Sequence, residues 1–160
     1  MTIAYVGFGS NQGDSQAFFE KIRDEIDHSR GTRVMAVSPA YKSAPLDVPD
    51  RQPDYLNAVL QIETALAPLS ILEMLQGIED SNGRQRGSMR NLARTVDLDL
   101  LLVGDLTLNT PALTLPHPRI YQRAFVLYPL HDLSPGLEVP GQGIVKEMLD
   151  NVRDQEIIRL

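Results

Sequence analysis

The stretch Thr95-Val96-Asp97-Leu98-Asp99-Leu100-Leu101-Leu102-Val103 predicts an apolar strand that carries two carboxylates at alternate positions. Because successive side chains of a strand point to opposite faces, Leu98 packs toward a core while Asp97 and Asp99 point away, about 6–7 Å apart. Aspartate is disfavoured in strands, so this pair indicates a role such as holding a hard cation like Mg²⁺. A solvated strand face is the alternative interpretation.

This strand completes a series of six predicted elements. Apolar residues predict strands at 2–8, 33–42 and 56–64, and helical spacing predicts one helix between Asp14 and Gly31 and another from Pro68 to Gly83. The order strand, helix, strand, strand, helix, strand is the βαββαβ order of ferredoxin-like α+β folds, an antiparallel sheet with two helices on one face. C-terminal additions follow: a short strand at 106–108, a turn at 116–118, and helices at 121–130 and 144–152.

The composition limits the classes of protein to which this chain can belong. A chain of 160 residues with 42% apolar residues predicts one domain, residues 1–160, with a real core. The absence of cysteine excludes disulfides, Cys-ligated metals and a Cys nucleophile. No apolar run reaches the roughly 18 residues of a membrane span. We see no signal peptide, so a cytoplasmic protein without membrane contact is expected.

The charge distribution is more informative than the net charge of −6. Of 15 basic residues 12 are Arg, and residues 81–96 hold four of these and no acid. Guanidinium groups bind phosphate oxygens bidentately, so this glycine-flanked segment favours a polyphosphate over a solvated loop or an RNA-facing patch. An arginine cluster beside a carboxylate pair is typical of phosphoryl transfer.

Other local patterns leave alternatives open. No P-loop sequence occurs, and Gly7, Gly9 and Gly13 look like turn glycines that do not match the dinucleotide fingerprint, although Gly9 could let a ligand approach the backbone. The proline-rich residues 43–54 predict a functional loop. His117 is either structural or a phosphate ligand. Aromatic side chains such as Tyr55 and Phe125 belong either to the core or to a site for a planar heterocycle.

Five short motifs in order resemble the hydroxymethyldihydropterin pyrophosphokinase family of folate biosynthesis over nearly the whole chain. They are Gly9-Ser10-Asn11, Gln52-Pro53-Asp54-Tyr55-Leu56-Asn57, Gly83-Arg84-Gln85-Arg86, Arg94-Thr95-Val96-Asp97-Leu98-Asp99, and Pro116-His117-Pro118 with Arg123-Ala124-Phe125-Val126-Leu127. The resemblance implies a ferredoxin-like fold. It also implies transfer of pyrophosphate from ATP to the hydroxymethyl group of 6-hydroxymethyl-7,8-dihydropterin, with release of AMP.

The resemblance further implies a role for each matching residue. Asp97 and Asp99 look like ligands of two Mg²⁺ ions, with Asp97 near the attacking hydroxyl, and Arg84 and Arg94 look like catalytic arginines. Tyr55 and Phe125 resemble rings that sandwich the pterin, and Ser43, Pro45, Leu46 and Asn57 its edge contacts. The nucleotide side would comprise Gln76, Glu79, Arg86, Leu100, Thr114, His117 and Arg123.

The chain departs from the family pattern at several positions. The family usually has an aromatic residue, Gly and Pro before the last Arg of its closing lid, where this chain has Asn91, Leu92 and Ala93. Ser43 replaces a common Thr, and Ala112 replaces an Arg found in some members. The residues Asn91, Leu92 and Ala93 motivate one alternative, a diverged paralogue that acts on another pterin. An alternative from another class is a non-catalytic nucleotide or pterin sensor.

The expected partners are small molecules. The resemblance implies ATP, the hydroxymethyldihydropterin and a monomer. A role in RNA binding is the weakest alternative, because aromatic residues are only 6% of the chain and no strand carries a paired stacking motif. The net negative charge also argues against nucleic acid.

Overall fold

The protein, described by a computed structural model over residues 1–11, 14–43, 54–83 and 96–160, is built around one antiparallel sheet. The first part of the chain contains β1 (Thr2–Ser10), α1 (Ser15–Asp27), β2 (Thr32–Val37), β3 (Tyr41–Ser43), β4 (Tyr55–Thr64), α2 (Pro68–Ser81) and β5 (Asp97–Val103). The strands β3, β4, β1 and β5 lie side by side in that order, and β2 also pairs with β4. This confirms the predicted α+β class and its antiparallel sheet.

The C-terminal part is richer in short elements than the sequence predicts. It contains β6 (Leu108–Asn109), β7 (Thr114–Leu115), a 3-10 turn (Ile120–Gln122), α3 (Ala124–Leu133), β8 (Glu138–Val139), β9 (Gly143–Ile144), α4 (Val145–Met148), a second 3-10 turn (Leu149–Val152) and β10 (Ile157–Arg159). The predicted helix at 144–152 is thus a short α-helix continued by a 3-10 turn. The strand β10 was not predicted, and it extends the sheet by pairing with β3.

The predicted strand at 33–42 is wrong in one respect, since it divides into β2 and β3. The break falls at Ser38-Pro39-Ala40, where Pro39 has no N–H to give to a ladder. Ser38 bridges the gap, because its N–H donates to the Val59 carbonyl and its hydroxyl accepts from the Val59 N–H, both at 2.9 Å. The chain therefore remains hydrogen-bonded to β4 across the break, and β3 continues to Ser43 opposite Tyr55.

Two apolar clusters cover the two faces of the sheet. On one face, Phe19, Ile22 and Ile26 of α1 and Ile71 and Leu75 of α2 pack on alternate residues of the strands. On the other face, α3, α4 and the second 3-10 turn pack on a second set, with Leu127, Leu130 and Val152 fully buried. Helices thus lie on both faces, with α1 and α2 on one face, as predicted, and α3 and α4 on the other. No helix in the described ranges has both the length and the apolar character that a membrane crossing requires.

Candidate active site

A cleft of about 270 Å³ opens on the face of the sheet that carries α3, next to the buried cluster of that face. We call it the first cleft. Strands β1, β3, β4 and β5 and the first turn of α3 all contribute to it. Its lining residues are Gly7, Phe8, Gly9, Ser43, Tyr55, Asn57, Ala58, Asp97, Asp99, Arg123, Phe125 and Val126.

Glycines in β1 leave space beside the two aspartates. Gly7 pairs with Asp99 and Gly9 with Asp97 in the ladder between β1 and β5, so Gly7 and Gly9 lie within a strand and are not turn glycines. A Cβ atom at Gly9 would lie 3.5 Å from Oδ1 of Asn57, which is an ordinary contact. The space beside the aspartates therefore exists because these positions carry no side chain.

The alternation predicted for β5 is observed. Val96, Leu98 and Leu100 are buried in the cluster under α1 and α2, while Asp97 and Asp99 both line the first cleft. Arg123 reaches Asp99 from the other side, with Nη1 3.8 Å from Oδ2, and its Cζ lies 5.5 Å from the centre of the Phe125 ring. That distance is within the range of a cation–π contact. A guanidinium and two carboxylates therefore meet at one end of the cleft.

A buried carboxylate fixes the strand between the two aspartates. Glu79 of α2 is 3% exposed, and its Oε2 accepts a hydrogen bond of 2.9 Å from the N–H of Leu98. Among the residues that the structure describes, β5 is the outermost strand next to β1, so half of its backbone groups face no described strand. Glu79 satisfies one of them and holds the backbone on which Asp97 and Asp99 are mounted.

The opposite wall of the first cleft is a polar pair at the ends of β3 and β4. Asn57 is 4% exposed, and its Nδ2 donates to the hydroxyl of Ser43 at 2.7 Å. Tyr55 lies two residues earlier in the same strand and lines the same cleft. Tyr55 and Phe125, the two aromatic residues implied by the resemblance, thus contribute to one cleft from different elements.

A second cleft of about 300 Å³ lies beside the first, and Asp99 lines both. Its walls come from β5, α2 and residues 110–118. Its lining residues are Leu72, Leu98, Asp99, Leu100, Thr110, Pro111, Ala112, Leu113, Thr114, His117 and Pro118. Asp99 therefore stands where a ligand in one cleft would meet a ligand in the other.

His117 is held by its backbone and by one ring nitrogen. Its N–H donates to the Leu101 carbonyl at 2.8 Å, and Nδ1 accepts from the N–H of Arg119 at 3.2 Å. Burial lowers the pKa of His117 below its usual range, against the opposing effect of Asp99. A neutral ring that accepts at Nδ1 carries its proton on Nε2, so His117 presents a single N–H donor.

The sequence-predicted residues separate into three groups. The clefts contain Ser43, Tyr55, Asn57, Asp97, Asp99, Leu100, Thr114, His117, Arg123 and Phe125. Glu79 contacts the backbone of β5, and Gln76, half-buried on α2, lines neither of the two described clefts. The predictions for Pro45, Leu46, Arg84, Arg86, Arg94 and for the lid residues 91–93 lie outside the described residues.

Two glutamines that hold the backbone around the site were not predicted from the sequence. The amide of Gln142 donates to the His117 carbonyl at 2.9 Å and accepts from the N–H of Tyr121 at 3.2 Å. The amide of Gln155 makes two similar bonds on either side of Arg123. Both glutamines are distant in sequence from the segments they hold, so only the pattern of long-range pairing reveals them.

The two carboxylates of the first cleft suit Mg²⁺, which takes part of its ligands from water and substrate, better than a metal ion whose ligands all come from the protein. No group of three or more His, Asp or Glu side chains with metal-binding geometry occurs in the described part of the chain. Mg²⁺ is usually bound by one or two carboxylates, with water and substrate phosphates completing its coordination. Asp97 and Asp99, on one face of one strand, fit that requirement.

Comparison with known proteins identifies the family. The family model described as 7,8-dihydro-6-hydroxymethylpterin-pyrophosphokinase matches residues 5–135. A Pseudomonas aeruginosa 2-amino-4-hydroxy-6-hydroxymethyldihydropteridine pyrophosphokinase is 43% identical over 145 residues, which are 91% of this chain and 88% of that one. A Haemophilus influenzae protein of the same name is 38% identical over 160 residues, 100% of this chain and 99% of its own.

Solved structures agree on the fold. The wild-type HPPK-DHPS chain of Plasmodium falciparum matches 96% of this chain with a TM-score of 0.71 at 12% identity. This chain spans 44% of that longer one, so the likeness concerns one part of it. Together with the family model and the two bacterial relatives, these findings show that the chain belongs to the 7,8-dihydro-6-hydroxymethylpterin-pyrophosphokinase family.

Proposed function

We propose that this chain transfers pyrophosphate from ATP to the hydroxymethyl group of 6-hydroxymethyl-7,8-dihydropterin, the reaction of its family in folate synthesis, at the junction of the two clefts. The observation that carries the proposal is the position of Asp99, which lines both clefts. The pterin would occupy the first cleft and the nucleotide the second. The hydroxymethyl oxygen would then bond to the β-phosphorus as the bridging oxygen leaves with AMP.

The first cleft has the chemistry that a flat, polar heterocycle requires. Aromatic rings at Tyr55 and Phe125 provide stacking surfaces. The buried Asn57 and the half-buried Ser43 provide hydrogen-bonding groups at the edge, and their mutual bond fixes them before a ligand arrives. Backbone at Gly9 lets the ring approach β1. By resemblance, Pro45 and Leu46 would complete this wall.

The nucleotide side combines apolar and hydrogen-bonding groups. Leu100 and Thr114 would contact the nucleotide, and the Nε2–H group of neutral His117 would donate to one of its oxygens. Gln76, Glu79 and Arg86 belong to this side by resemblance. The bond from Glu79 to Leu98 favours an additional task for Glu79, which is to hold β5 in place.

Asp97 and Asp99 would hold two Mg²⁺ ions between the clefts. Bound there, the ions would offset the negative charge that develops on the phosphate oxygens during transfer. Asp97, which faces the first cleft, would lie beside the attacking hydroxyl. Arg123 lies 3.8 Å from Asp99 and would bind phosphate oxygens from the opposite side. By resemblance, Arg84 and Arg94 would be catalytic arginines that add positive charge.

The test is release of AMP from ATP and the hydroxymethyldihydropterin, with Mg²⁺ present and absent. Asp97→Asn and Asp99→Asn keep the side-chain shape, and each is expected to lower turnover at least about 100-fold, because a metal contributes several kcal/mol to charge stabilisation. Asp105→Asn, an exposed carboxylate just after β5, is the matched control and should keep full activity. Equal turnover of wild type and both site variants would contradict the proposal.

Metal binding has a readout that does not depend on turnover. Mg²⁺ with a non-hydrolysable ATP analogue should raise the melting temperature of wild type, and the rise should be lost in Asp99→Asn. Wild type that binds both ligands tightly without releasing AMP would instead support the sensor alternative. A clear preference for a different reduced pterin would support the diverged paralogue, which the residues Asn91, Leu92 and Ala93 motivate.

A further inference from the structure

The direction in which the Arg123 side chain enters the site depends on the backbone conformation of that residue. It lies between the 3-10 turn Ile120–Gln122 and α3, with an extended backbone (φ −120°, ψ 107°). Its side chain makes no capping bond to α3 and lines the first cleft beside Asp99. A long side chain at such a junction points wherever the torsion angles of its own residue direct it. A group that fixes the backbone torsion angles there fixes the direction in which the Arg123 side chain leaves the chain, and so restricts where its guanidinium can lie.

The side-chain amide of Gln155 forms hydrogen bonds with the backbone on both sides of Arg123. Its Nε2 donates to the carbonyl of Gln122 at 2.7 Å, and its Oε1 accepts from the N–H of Ala124 at 2.9 Å. The Ala124 N–H is the first of α3 and has no acceptor within the helix. One planar side chain therefore satisfies a carbonyl and a helix-end N–H that flank a single residue, as a neighbouring strand would.

Gln155 is itself well anchored. Its N–H donates to the carbonyl of Val152, a fully buried residue of the second core cluster. Two residues later, β10 begins and pairs with β3, where Ile157 lies opposite Ser43. The C-terminal segment is thus tied to the Ser43 wall of the first cleft as well as to the Arg123 wall. An anchored amide can fix the backbone it holds, whereas an amide on a loose tail cannot.

We propose that Gln155 is a positioning residue, which holds the backbone at Arg123 so that the guanidinium points toward Asp99 and the transferred phosphates. This inference depends on the proposed function, because it assigns Gln155 a role through Arg123 in that reaction. Displacing a substrate-positioning group by about 1 Å can cost about 100-fold in rate. Loss of the amide is therefore expected to lower kcat/KM by about 10- to 100-fold.

The main variant is Gln155→Met, which keeps the length and packing of the side chain and removes both hydrogen bonds. Gln155→Asn keeps an amide but is one methylene too short to reach both backbone groups, so it should lose a similar factor. The matched control is Gln122→Ala, because the Gln122 side chain is exposed, its described hydrogen bond goes to the hydroxyl of Tyr121, and its backbone carbonyl remains in the variant. This control should keep the kcat/KM of wild type.

A double-mutant cycle with Arg123→Ala separates positioning from general damage. If Gln155 acts through Arg123, Gln155→Met lowers kcat/KM by 10- to 100-fold in the wild-type background and by less than about twofold in Arg123→Ala. A general loss of stability would lower activity by the same factor in both backgrounds. Thermal unfolding of every variant is measured in parallel, and Gln155→Asn replaces Gln155→Met in the cycle if the latter does not fold.

The outcomes distinguish this inference from the proposed function. Unchanged kcat/KM in folded Gln155→Met, or an equal loss in both backgrounds, would overturn the positioning role while the reaction stands. Full activity of Arg123→Ala would also overturn it, because Gln155 would then have no catalytic group to position. Absence of AMP release from wild type would overturn the proposed function itself. A loss confined to the background that retains Arg123 supports the inference.

Discussion

Replacing Glu79 by alanine should destabilise the protein through the strand that carries the two aspartates. The Glu79 carboxylate is 3% exposed and accepts from the Leu98 N–H at 2.9 Å, on the outer side of an edge strand. Hydrogen bonds to charged groups contribute about 1.5–3 kcal/mol, and the alanine variant leaves the backbone donor without this acceptor. We therefore expect a loss of about 2 kcal/mol, or about 4–8 °C in melting temperature for a chain of this size.

The assay is urea denaturation followed by circular dichroism, with Glu73→Ala as the control. Glu73 lies on the same helix but is exposed, so its variant should stay within about 0.5 kcal/mol of wild type. Glu79→Gln keeps an acceptor for the Leu98 N–H and should fall between the two. Because Leu98 separates Asp97 from Asp99, Glu79→Ala should also weaken Mg²⁺ binding. Equal unfolding free energies for Glu79→Ala and Glu73→Ala would refute this reasoning.

Three further changes test other parts of the site. Gly9→Val places methyl groups in the first cleft while remaining compatible with a strand, so pterin affinity should fall about 10-fold in calorimetric titration with little change in melting temperature. Phe125→Leu removes one stacking ring and should raise KM for the pterin more than KM for ATP, as steady-state kinetics would show. Gln142→Ala frees the His117 carbonyl and the Tyr121 N–H, so KM for ATP should rise several-fold while pterin affinity stays unchanged in titration. Equal effects on both substrates would contradict the assignment of His117 to the nucleotide side.

Local patterns were sufficient to predict β1, β4 and β5 of the central sheet. Alternation along residues 96–100 correctly separated the buried leucines from the cleft-facing aspartates, because in this part of β5 one face is packed and the other borders the first cleft. Helical spacing correctly predicted α1 and α2, whose apolar sides pack on that same face. In each case the signal lies within a few consecutive residues.

The features that could not be predicted, β10 and the roles of Gln155 and Gln142, depend on contacts between residues far apart in the sequence. β10 is only three residues long, and it is a strand because β3 lies beside it. Gln155 and Gln142 each use one side-chain amide to bind backbone groups at least 21 residues away, and the local sequence around a glutamine carries no signal of such a bond. For Glu79 the sequence does contain a local signal. Glu79 lies four residues after Leu75, on the buried side of α2, and a charged group at a buried position requires a partner.

The most direct test of the central claim measures AMP release by wild type and Asp99→Asn at saturating ATP, hydroxymethyldihydropterin and Mg²⁺. Asp99 is the described carboxylate that lines both clefts, so the account predicts Mg²⁺-dependent turnover by wild type and a loss of at least about 100-fold in the variant. The same variant should keep its affinity for the pterin alone. Wild-type turnover in Asp99→Asn, or turnover that is unaffected by removing Mg²⁺, would contradict the account.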